Sequence, residues 1–240
     1  MEELTLITED NIKIRINCYC SNRDEVVIIC PGWFMTKDSR SMRNIAEAIS
    51  LKFDVITMDF RGHGKSGGFY TFTAKEENDI SAVVGYAGKK YKKISLMGFS
   101  LGGALVLLYS SKHPEIYRNI VVSAPSEFYK IENRMYSPHA WMPTLFQKFE
   151  PGRFCSVRPG NPFMHKTKPV DVVKNIKTPT LFLAGENDPT VFPWHTELLY
   201  NKAVCKKSYK LFKKANHAED LFNDYPDEFT KVCVEWLNNG

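Results

Sequence analysis

The sequence predicts an α/β protein built on a doubly wound sheet of parallel strands. Short runs of β-branched and other apolar residues alternate along the 240-residue chain with longer segments whose apolar residues have helical spacing. Most of the short runs are continuously apolar, which is typical of parallel strands that are covered on both faces. Strands that alternate with helices in this way indicate the doubly wound arrangement.

The predicted strands begin with residues 12–20, where apolar and polar residues alternate. This alternation is typical of a half-exposed strand, so we expect the segment at an edge of the sheet. The other predicted strands are compact apolar runs at residues 26–30, 55–58, 94–97, 120–122, 180–184 and 209–212.

The predicted helices occupy residues 39–51, 73–88, 101–112 and 227–237. Thr73 and Glu76 have the spacing of a capping box, in which two side chains bond to free N–H groups at the start of a helix. We therefore expect the second helix to begin at Thr73. The third helix is mostly apolar and ends before Pro114, because proline cannot continue a helix.

Residues 125–169 interrupt this alternation. The stretch contains seven prolines and several large aromatic residues but no clear strand. Long irregular segments of compact domains are commonly functional. We therefore expect a lid at approximately residues 126–168 within a single domain formed by residues 1–240, with a passive surface excursion as the alternative.

The composition excludes several classes of protein. Hydrophobic residues make up 43% of the chain, but no apolar run approaches the roughly 20 residues of a membrane-spanning helix. The acidic start does not resemble a signal peptide, and six cysteines without a CxxC pair are typical of reduced thiols in a cytoplasmic protein. The net charge of +5 is too small to indicate a nucleic-acid partner, and the lysine-rich run at residues 89–93 is typical of solvated side chains.

Ser100 lies in the pattern Gly-x-Ser-x-Gly, which it forms with Gly98 and Gly102 between a predicted strand and a predicted helix. In this context the serine occupies a sharp strand-to-helix turn, where the glycines relieve crowding and the hydroxyl projects above the sheet. The start of the helix adds N–H groups and the positive end of its dipole. The pattern with its flanking elements therefore predicts a nucleophilic serine, whereas the five residues alone would be a weak signal.

A serine hydroxyl becomes an effective nucleophile when a base takes its proton, and a carboxylate orients that base. Asp188 follows one predicted strand and His217 follows the next, which gives the chain order Ser, Asp, His. The carboxyl ends of these strands lie where open α/β sheets bind ligands. Glu186 is the competing carboxylate and His195 the competing base, and purely structural roles in a turn and at a helix end are further alternatives.

Acyl transfer also needs N–H donors for the negative charge that develops on the carbonyl oxygen. We expect one donor to be the backbone N–H of Leu101, directly after the serine. The loop after the strand at residues 26–30 should supply the other. Pro31 has no N–H, so Trp33 is the first choice and Phe34 the second.

With these residues the sequence resembles the α/β-hydrolase superfamily along nearly its whole length, and most of all its branch of monoacylglycerol lipases, feruloyl (cinnamoyl) esterases and serine aminopeptidase-like proteins. The resemblance rests on the segments PGW at residues 31–33, DFRGHGKS at 59–66, GFSLGG at 98–103, GEND at 185–188 and NH at 216–217. It implies an eight-stranded, mostly parallel sheet with helices on both faces, a lid after the sixth strand, no cofactor and hydrolysis of acyl bonds. By position it makes Ser100 the nucleophile, His217 the base, Asp188 the orienting carboxylate and His63 a structural residue. One departure is that Pro31 stands where relatives usually have a histidine.

The expected function is that of a cytoplasmic serine hydrolase that cleaves carboxylic esters of apolar or aromatic acyl groups through an acyl-enzyme on Ser100. Acyl thioesterase and aminopeptidase-like amide hydrolase activities are alternatives, and a non-catalytic ligand-binding protein on the same fold is a third. The expected partner is a small-molecule ester, with no nucleic acid, no metal site and no integral membrane segment; a homodimer is left open. We expect an apolar substrate pocket lined by Trp33, Phe34, Phe99, Trp141 and Phe146.

Overall fold

Eight strands form one sheet among residues 1–131 and 150–239, which are the residues that this computed structural model describes. The strands are β1 (Glu2–Ile7), β2 (Lys13–Tyr19), β3 (Glu25–Cys30), β4 (Asp54–Met58), β5 (Lys93–Phe99), β6 (Arg118–Val122), β7 (Thr180–Gly185) and β8 (Lys207–Phe212). Their order across the sheet is β1-β2-β4-β3-β5-β6-β7-β8. The pairs β1–β2 and β2–β4 are antiparallel and the remaining pairs are parallel. The predicted fold class is therefore confirmed.

The helices of the described residues alternate with these strands. They are α1 (Arg40–Ser50), α2 (Glu77–Ala87), α3 (Leu101–Ser110), α4 (Pro151–Phe154), α5 (Pro169–Val172), α6 (Pro193–Lys202), α7 (Asp220–Asp224) and α8 (Pro226–Asn239). The four helices predicted from the sequence are all present, although α2 begins four residues later than expected.

Helices cover both faces of the sheet, which explains the continuous apolar runs within its central strands. Val27 and Ile28 are neighbours on β3 but belong to different apolar clusters, because successive side chains of a strand point to opposite faces. On the Ile28 face the cluster includes residues of α2, α3 and α6, and on the Val27 face it includes residues of α1, α7 and α8. Burial on both faces leaves no position for an exposed polar side chain in the middle of these strands.

The predicted edge position of residues 12–20 is wrong. Strand β2 pairs on both sides, with Ile16 opposite both Leu4 of β1 and Met58 of β4, so β1 is the edge strand. The polar Asn17 of β2 is buried because its side-chain oxygen accepts a hydrogen bond from the ammonium group of Lys37 over 2.9 Å. The alternation therefore has two causes: Lys13 and Arg15 reach solvent, whereas Asn17 is buried and hydrogen-bonded.

The predicted capping box is also wrong. Thr73 has a positive φ of 81° and lies outside α2, which begins at Glu77. The carboxylate of Glu76 instead accepts hydrogen bonds from the backbone N–H and the hydroxyl of Thr71, over 2.6 and 3.0 Å. Thr73 and Glu76 have the spacing of a capping box, but the Glu76 carboxylate bonds to the turn before the helix and does not cap the helix.

Only the two ends of the predicted lid at residues 126–168 belong to the described part of the chain. The first end contains a short 3-10 turn at Phe128–Lys130, and the second contains α4 and an isolated bridge between Tyr70 and Pro159. Residues 132–149 lie outside the described residues. A lid function and the extent of the single domain therefore remain predictions.

Candidate active site

Ser100 lies at the sharp turn between β5 and α3. Its φ of 51° and ψ of −119° are strained for a residue with a side chain. The turn is held by the N–H of Ser100, which donates to the carbonyl of Val122 over 2.8 Å, and by the carbonyl of Ser100, which accepts the N–H of Ala104 over 3.1 Å. The strained backbone is therefore fixed by the neighbouring strand and by the first turn of the helix.

Gly98 and Gly102 make this turn sterically possible. A Cβ atom on Gly98 would lie 2.4 Å from the carbonyl oxygen of Gly102, and one on Gly102 would lie 2.2 Å from the carbonyl oxygen of Cys30. Both distances are far below van der Waals contact with backbone atoms that cannot rotate away. The two glycines of the pattern are thus required by the close approach of strand, turn and helix.

Two further polar side chains form a hydrogen-bonded series with Ser100. The hydroxyl of Ser100 is 2.9 Å from Nε2 of His217, and Nδ1 of His217 is 2.6 Å from Oδ2 of Asp188. The carboxylate only accepts hydrogen bonds, so Nδ1 carries the proton and donates to Asp188, and Nε2 accepts from the serine hydroxyl. The structure therefore brings together the three residues that the chain order predicts for a serine nucleophile.

Asp188 is held in place by bonds other than its contact with the imidazole. Its other oxygen, Oδ1, accepts the backbone N–H groups of Thr190 and Val191 over 2.9 and 2.8 Å, and its side chain is 1% exposed. These bonds close the turn after β7 and direct Oδ2 toward His217. The turn-forming role and the orienting geometry are thus properties of the same side chain.

The electrostatic environment raises the pKa of His217 above the ordinary 6.5 of an imidazole. Burial acts in the opposite direction, but the charge of Asp188 and its hydrogen bond outweigh it, with smaller contributions from Glu219 and Asp220. A carboxylate within hydrogen-bond distance stabilises the imidazolium form. The pair is therefore suited to accept a proton from Ser100.

The competing residues have other partners. Glu186 is exposed, and its carboxylate accepts the backbone N–H of Lys214 over 3.0 Å. His195 is buried, with Nδ1 bound to the hydroxyl of Ser126 over 2.8 Å and Nε2 bound to the carbonyl of Lys130 over 3.2 Å. His195 therefore joins α6 to the segment after β6 and does not contact Ser100.

The two residues expected to supply N–H groups for an oxyanion belong to segments that adjoin the serine. Leu101 is the first residue of α3, and the loop at Gly32 passes so close that a Cβ on this glycine would lie 3.1 Å from Cβ of Ser100. Among the described residues, the N–H groups of Trp33 and Leu101 donate to no carbonyl or side chain. Phe34 follows Trp33 with a positive φ of 57°, and the N–H of Met35 closes the turn on the carbonyl of Gly32 over 3.2 Å.

The residues expected to line the pocket lie in different places in the structure. Phe34 stacks obliquely on Trp33 with ring centroids 4.3 Å apart, and Phe72 meets Trp33 edge-on at 5.6 Å. The expected position of Phe99 is wrong, because its ring is completely buried and packs in the core on Phe229. Phe99 of β5 directly precedes Ser100, and its side chain points to the face of the sheet that α8 covers. Two further predicted pocket residues lie outside the described part of the chain, namely Trp141 and Phe146.

Sequence reasoning missed two side chains that hold the histidine loop. The hydroxyl oxygen of Ser123, directly after β6, accepts the N–H of Ala218, which is the residue after His217. The guanidinium group of Arg153 donates to Glu219, two residues after His217. Both contacts join segments that are remote in the chain, and no local pattern distinguishes these residues from other serines and arginines.

Comparisons with known proteins identify the family and the fold of this chain. A family model described as alpha/beta hydrolase fold matches residues 25–158, which is more than half of the chain. The serine hydrolase BPHL of Homo sapiens is 23% identical over 245 residues, covering 89% of this chain and 79% of its own length. The esterase Pf2001 of Pyrococcus furiosus superposes with a TM-score of 0.82 at 25% sequence identity, covering 99% of this chain and 90% of that structure.

A third relative has a different description. The protein YNL320W of Saccharomyces cerevisiae, described as a membrane protein, is 26% identical over 255 residues, covering 98% of this chain and 80% of that protein. In the part of this chain that the structure describes, no helix combines the length and hydrophobicity that a membrane crossing requires.

Proposed function

The chain belongs to the α/β-hydrolase family, and on this basis we propose that it is a serine hydrolase that cleaves carboxylic esters through an acyl-enzyme on Ser100. The observation that carries the proposal is the continuous hydrogen-bonded series from the Ser100 hydroxyl through His217 to Asp188. Similarity to a serine hydrolase and to an esterase supports the same chemistry.

In the proposed reaction, Nε2 of His217 takes the hydroxyl proton while Oγ of Ser100 attacks the ester carbonyl. The C–O bond to the alcohol then breaks, and His217 returns the proton to the departing oxygen. Water attacks the acyl-enzyme in the second half, with His217 again as the base, and releases the acid and Ser100. Asp188 stabilises the imidazolium form at each stage.

The negative oxygen of the tetrahedral intermediate needs donors that are already in place. We assign this role to the N–H groups of Leu101 and Trp33, because neither has another acceptor among the described residues. The start of α3 adds the positive end of a ten-residue helix beside Ser100. No rearrangement of the backbone is then needed when the charge develops.

The aromatic cluster formed by Trp33, Phe34 and Phe72 supports an apolar or aromatic acyl group. Trp33 and Phe34 directly follow Gly32, which lies beside Ser100, and apolar rings in a binding site favour uncharged acyl chains over charged ones. An aminopeptidase would instead need a free carboxylate for the substrate amine. Glu127, an acidic residue in the first end of the predicted lid, is already paired with Lys130 and Lys168 over 2.6 and 2.9 Å.

The proposal is tested with p-nitrophenyl esters of graded chain length, feruloyl and glyceryl esters, acyl thioesters and aminoacyl anilides. We expect esters of apolar acyl groups to give the highest kcat/KM. We also expect a fluorophosphonate probe to label the wild type and not the Ser100→Ala variant. Ser111→Ala, a change at the far end of α3, is the matched control and should be labelled like the wild type.

Two results would reject the proposal. A folded wild type that neither reacts with the probe nor cleaves any substrate would favour the ligand-binding alternative. Faster cleavage of thioesters or anilides than of every ester would keep Ser100 as the nucleophile but change the substrate class.

A further inference from the structure

Arg153 is a buried cation that contacts two different loops of the candidate site. Its Nε donates to the carbonyl of Phe34 over 2.5 Å, and its Nη2 donates to the carboxylate of Glu219 over 2.6 Å. The side chains of Arg153 and Glu219 are each 4% exposed. A guanidinium group can hold two acceptors in fixed directions at once, whereas an ammonium group acts as a single point charge.

The first contact fixes the loop that carries the proposed oxyanion donor. Phe34 has a positive φ of 57°, which is unfavourable for a bulky residue and requires support from its surroundings. The carbonyl of Phe34 begins the peptide group that leads to Met35, whose N–H closes the turn. Holding this carbonyl therefore holds the turn that presents the N–H of Trp33.

The second contact fixes the loop that carries the base. Glu219 lies two residues after His217, and its carbonyl accepts the N–H groups of Phe222 and Asn223 at the start of α7. Its carboxylate is also one of the charges that raise the pKa of His217. The position of this carboxylate consequently affects both the geometry and the proton affinity of the base.

The segment that carries Arg153 is bonded to other parts of the fold on both sides of this residue. The carboxylate of Glu150 accepts the N–H of Arg40 at the start of α1 over 3.0 Å. The hydroxyl of Ser156 donates to the carbonyl of Arg153 over 3.2 Å and accepts the N–H of Gly64 over 3.1 Å. The segment around Arg153 is therefore held in place, and its side chain extends from there to the two loops.

We propose that Arg153 is a positioning residue, which sets the distance between the oxyanion loop and the His217 loop by binding Phe34 and Glu219 together. The inference rests on the proposed function, because it assigns Arg153 a part in the same reaction. It predicts that loss of the bridge impairs stabilisation of the transition state more than binding of the substrate.

The test compares Arg153→Lys with Arg158→Lys. Arg158 lies five residues later in the same segment, and its guanidinium group donates to carbonyls at residues 64–68 and to that of Ser156. The two substitutions thus remove the same chemistry from one segment, but only Arg153 reaches the candidate site. The double variant Arg153→Met/Glu219→Leu is added because it removes both charges of this buried pair together.

Hydrogen exchange is measured first, because it does not depend on any activity. We expect Arg153→Lys and the double variant to speed amide exchange about tenfold or more in peptides covering residues 31–38 and 213–222. Arg158→Lys should affect only residues 62–70. Unchanged exchange in both site loops of the Arg153 variants would overturn the bridge, whether or not the protein hydrolyses esters.

Ester kinetics then separate positioning from a merely structural role. We expect kcat to fall about 10- to 100-fold in Arg153→Lys and in the double variant, while KM changes less than about threefold. The double variant should keep a melting temperature near that of the wild type and still be slow. Loosened loops with the kcat of the wild type would overturn the positioning role, whereas an inactive and unlabelled wild type would reject the proposed function instead.

Discussion

The hydroxyl oxygen of Ser123 accepts the backbone N–H of Ala218 over 3.2 Å, although 95 positions separate the two residues in the chain. Ser123 lies directly after β6 with a positive φ of 49°, and its own N–H donates to the carbonyl of Leu183 on β7. Ala218, with a φ of 53°, is the residue after His217. A rigid strand end therefore supports the loop on which the base is carried.

Ser123→Ala tests this support. The variant leaves the N–H of Ala218 without its acceptor, so we expect kcat to fall about tenfold and the free energy of unfolding to fall by about 1 kcal/mol. Ser110→Ala is the matched control, because Ser110 is equally buried and bonds to Asn119 away from the site. Equal kcat values for the two variants would show that the bond does not position His217.

Asp188→Asn should lower kcat by about 10³- to 10⁴-fold with little change in KM, because the amide no longer selects the histidine form with a free Nε2. Steady-state kinetics on the preferred ester give both constants. Glu186→Gln is the control, since this exposed carboxylate two positions earlier bonds only to a backbone N–H in the contacts described above. A comparable loss in Glu186→Gln would mean that the wrong carboxylate has been assigned.

The rate should depend on pH through His217. The charge of Asp188 raises the pKa of His217 against the opposing effect of burial, so the inactive imidazolium form persists to a higher pH than for a free imidazole. We therefore expect kcat/KM to decline with falling pH around a midpoint above 6.5.

Asp220→Asn provides a check on the electrostatic origin of this midpoint. The charge of Asp220 contributes to the raised pKa of His217, so its removal should move the midpoint to lower pH. Asp224→Asn, an exposed change on the same helix, should leave the profile in place. A midpoint below 6.5 in the wild type would contradict the assignment of His217 as a base paired with Asp188.

Gly102→Ala should destabilise the protein by about 3 kcal/mol or more, because the new Cβ would lie 2.2 Å from the carbonyl oxygen of Cys30. Gly85→Ala is the opposite case. Gly85 lies on the exposed side of α2 with nothing within 4 Å of a new Cβ, so alanine should stabilise the helix by about 0.5–1 kcal/mol. Urea denaturation of both variants measures the difference, and similar midpoints would contradict the steric account of the turn.

Several features followed from local sequence because their physical causes are local. The apolar runs of the parallel strands are continuous because both faces are buried, and this pattern is visible in each run separately. The turn at Ser100 depends on two glycines within two residues of it, so its pattern is contained in one short segment. The order in which Asp188 and His217 follow successive strands is likewise a property of the chain alone.

Other features depended on partners that the local pattern does not contain. The alternation in residues 12–20 predicts an edge strand, but it does not reveal that Asn17 is buried by a hydrogen bond to Lys37, 20 positions away. Thr73 and Glu76 have the spacing of a capping box, but the carboxylate of Glu76 accepts its hydrogen bond from Thr71. The position of Phe99 next to Ser100 predicts a place in the pocket, whereas the strand directs its ring to Phe229 in the core.

Local patterns in the chain are sufficient to predict the class of the fold, the turn that exposes one serine, and a short set of candidate acids and bases. Contacts between distant segments select among these candidates: His217 bonds to Ser100 while His195 bonds to Ser126, and Ser123 and Arg153 support the site. The difference lies in the range of the interactions. Periodicity and turn geometry act over a few residues, whereas these contacts join loops at the carboxyl ends of strands whose neighbours are set only when the whole sheet has formed.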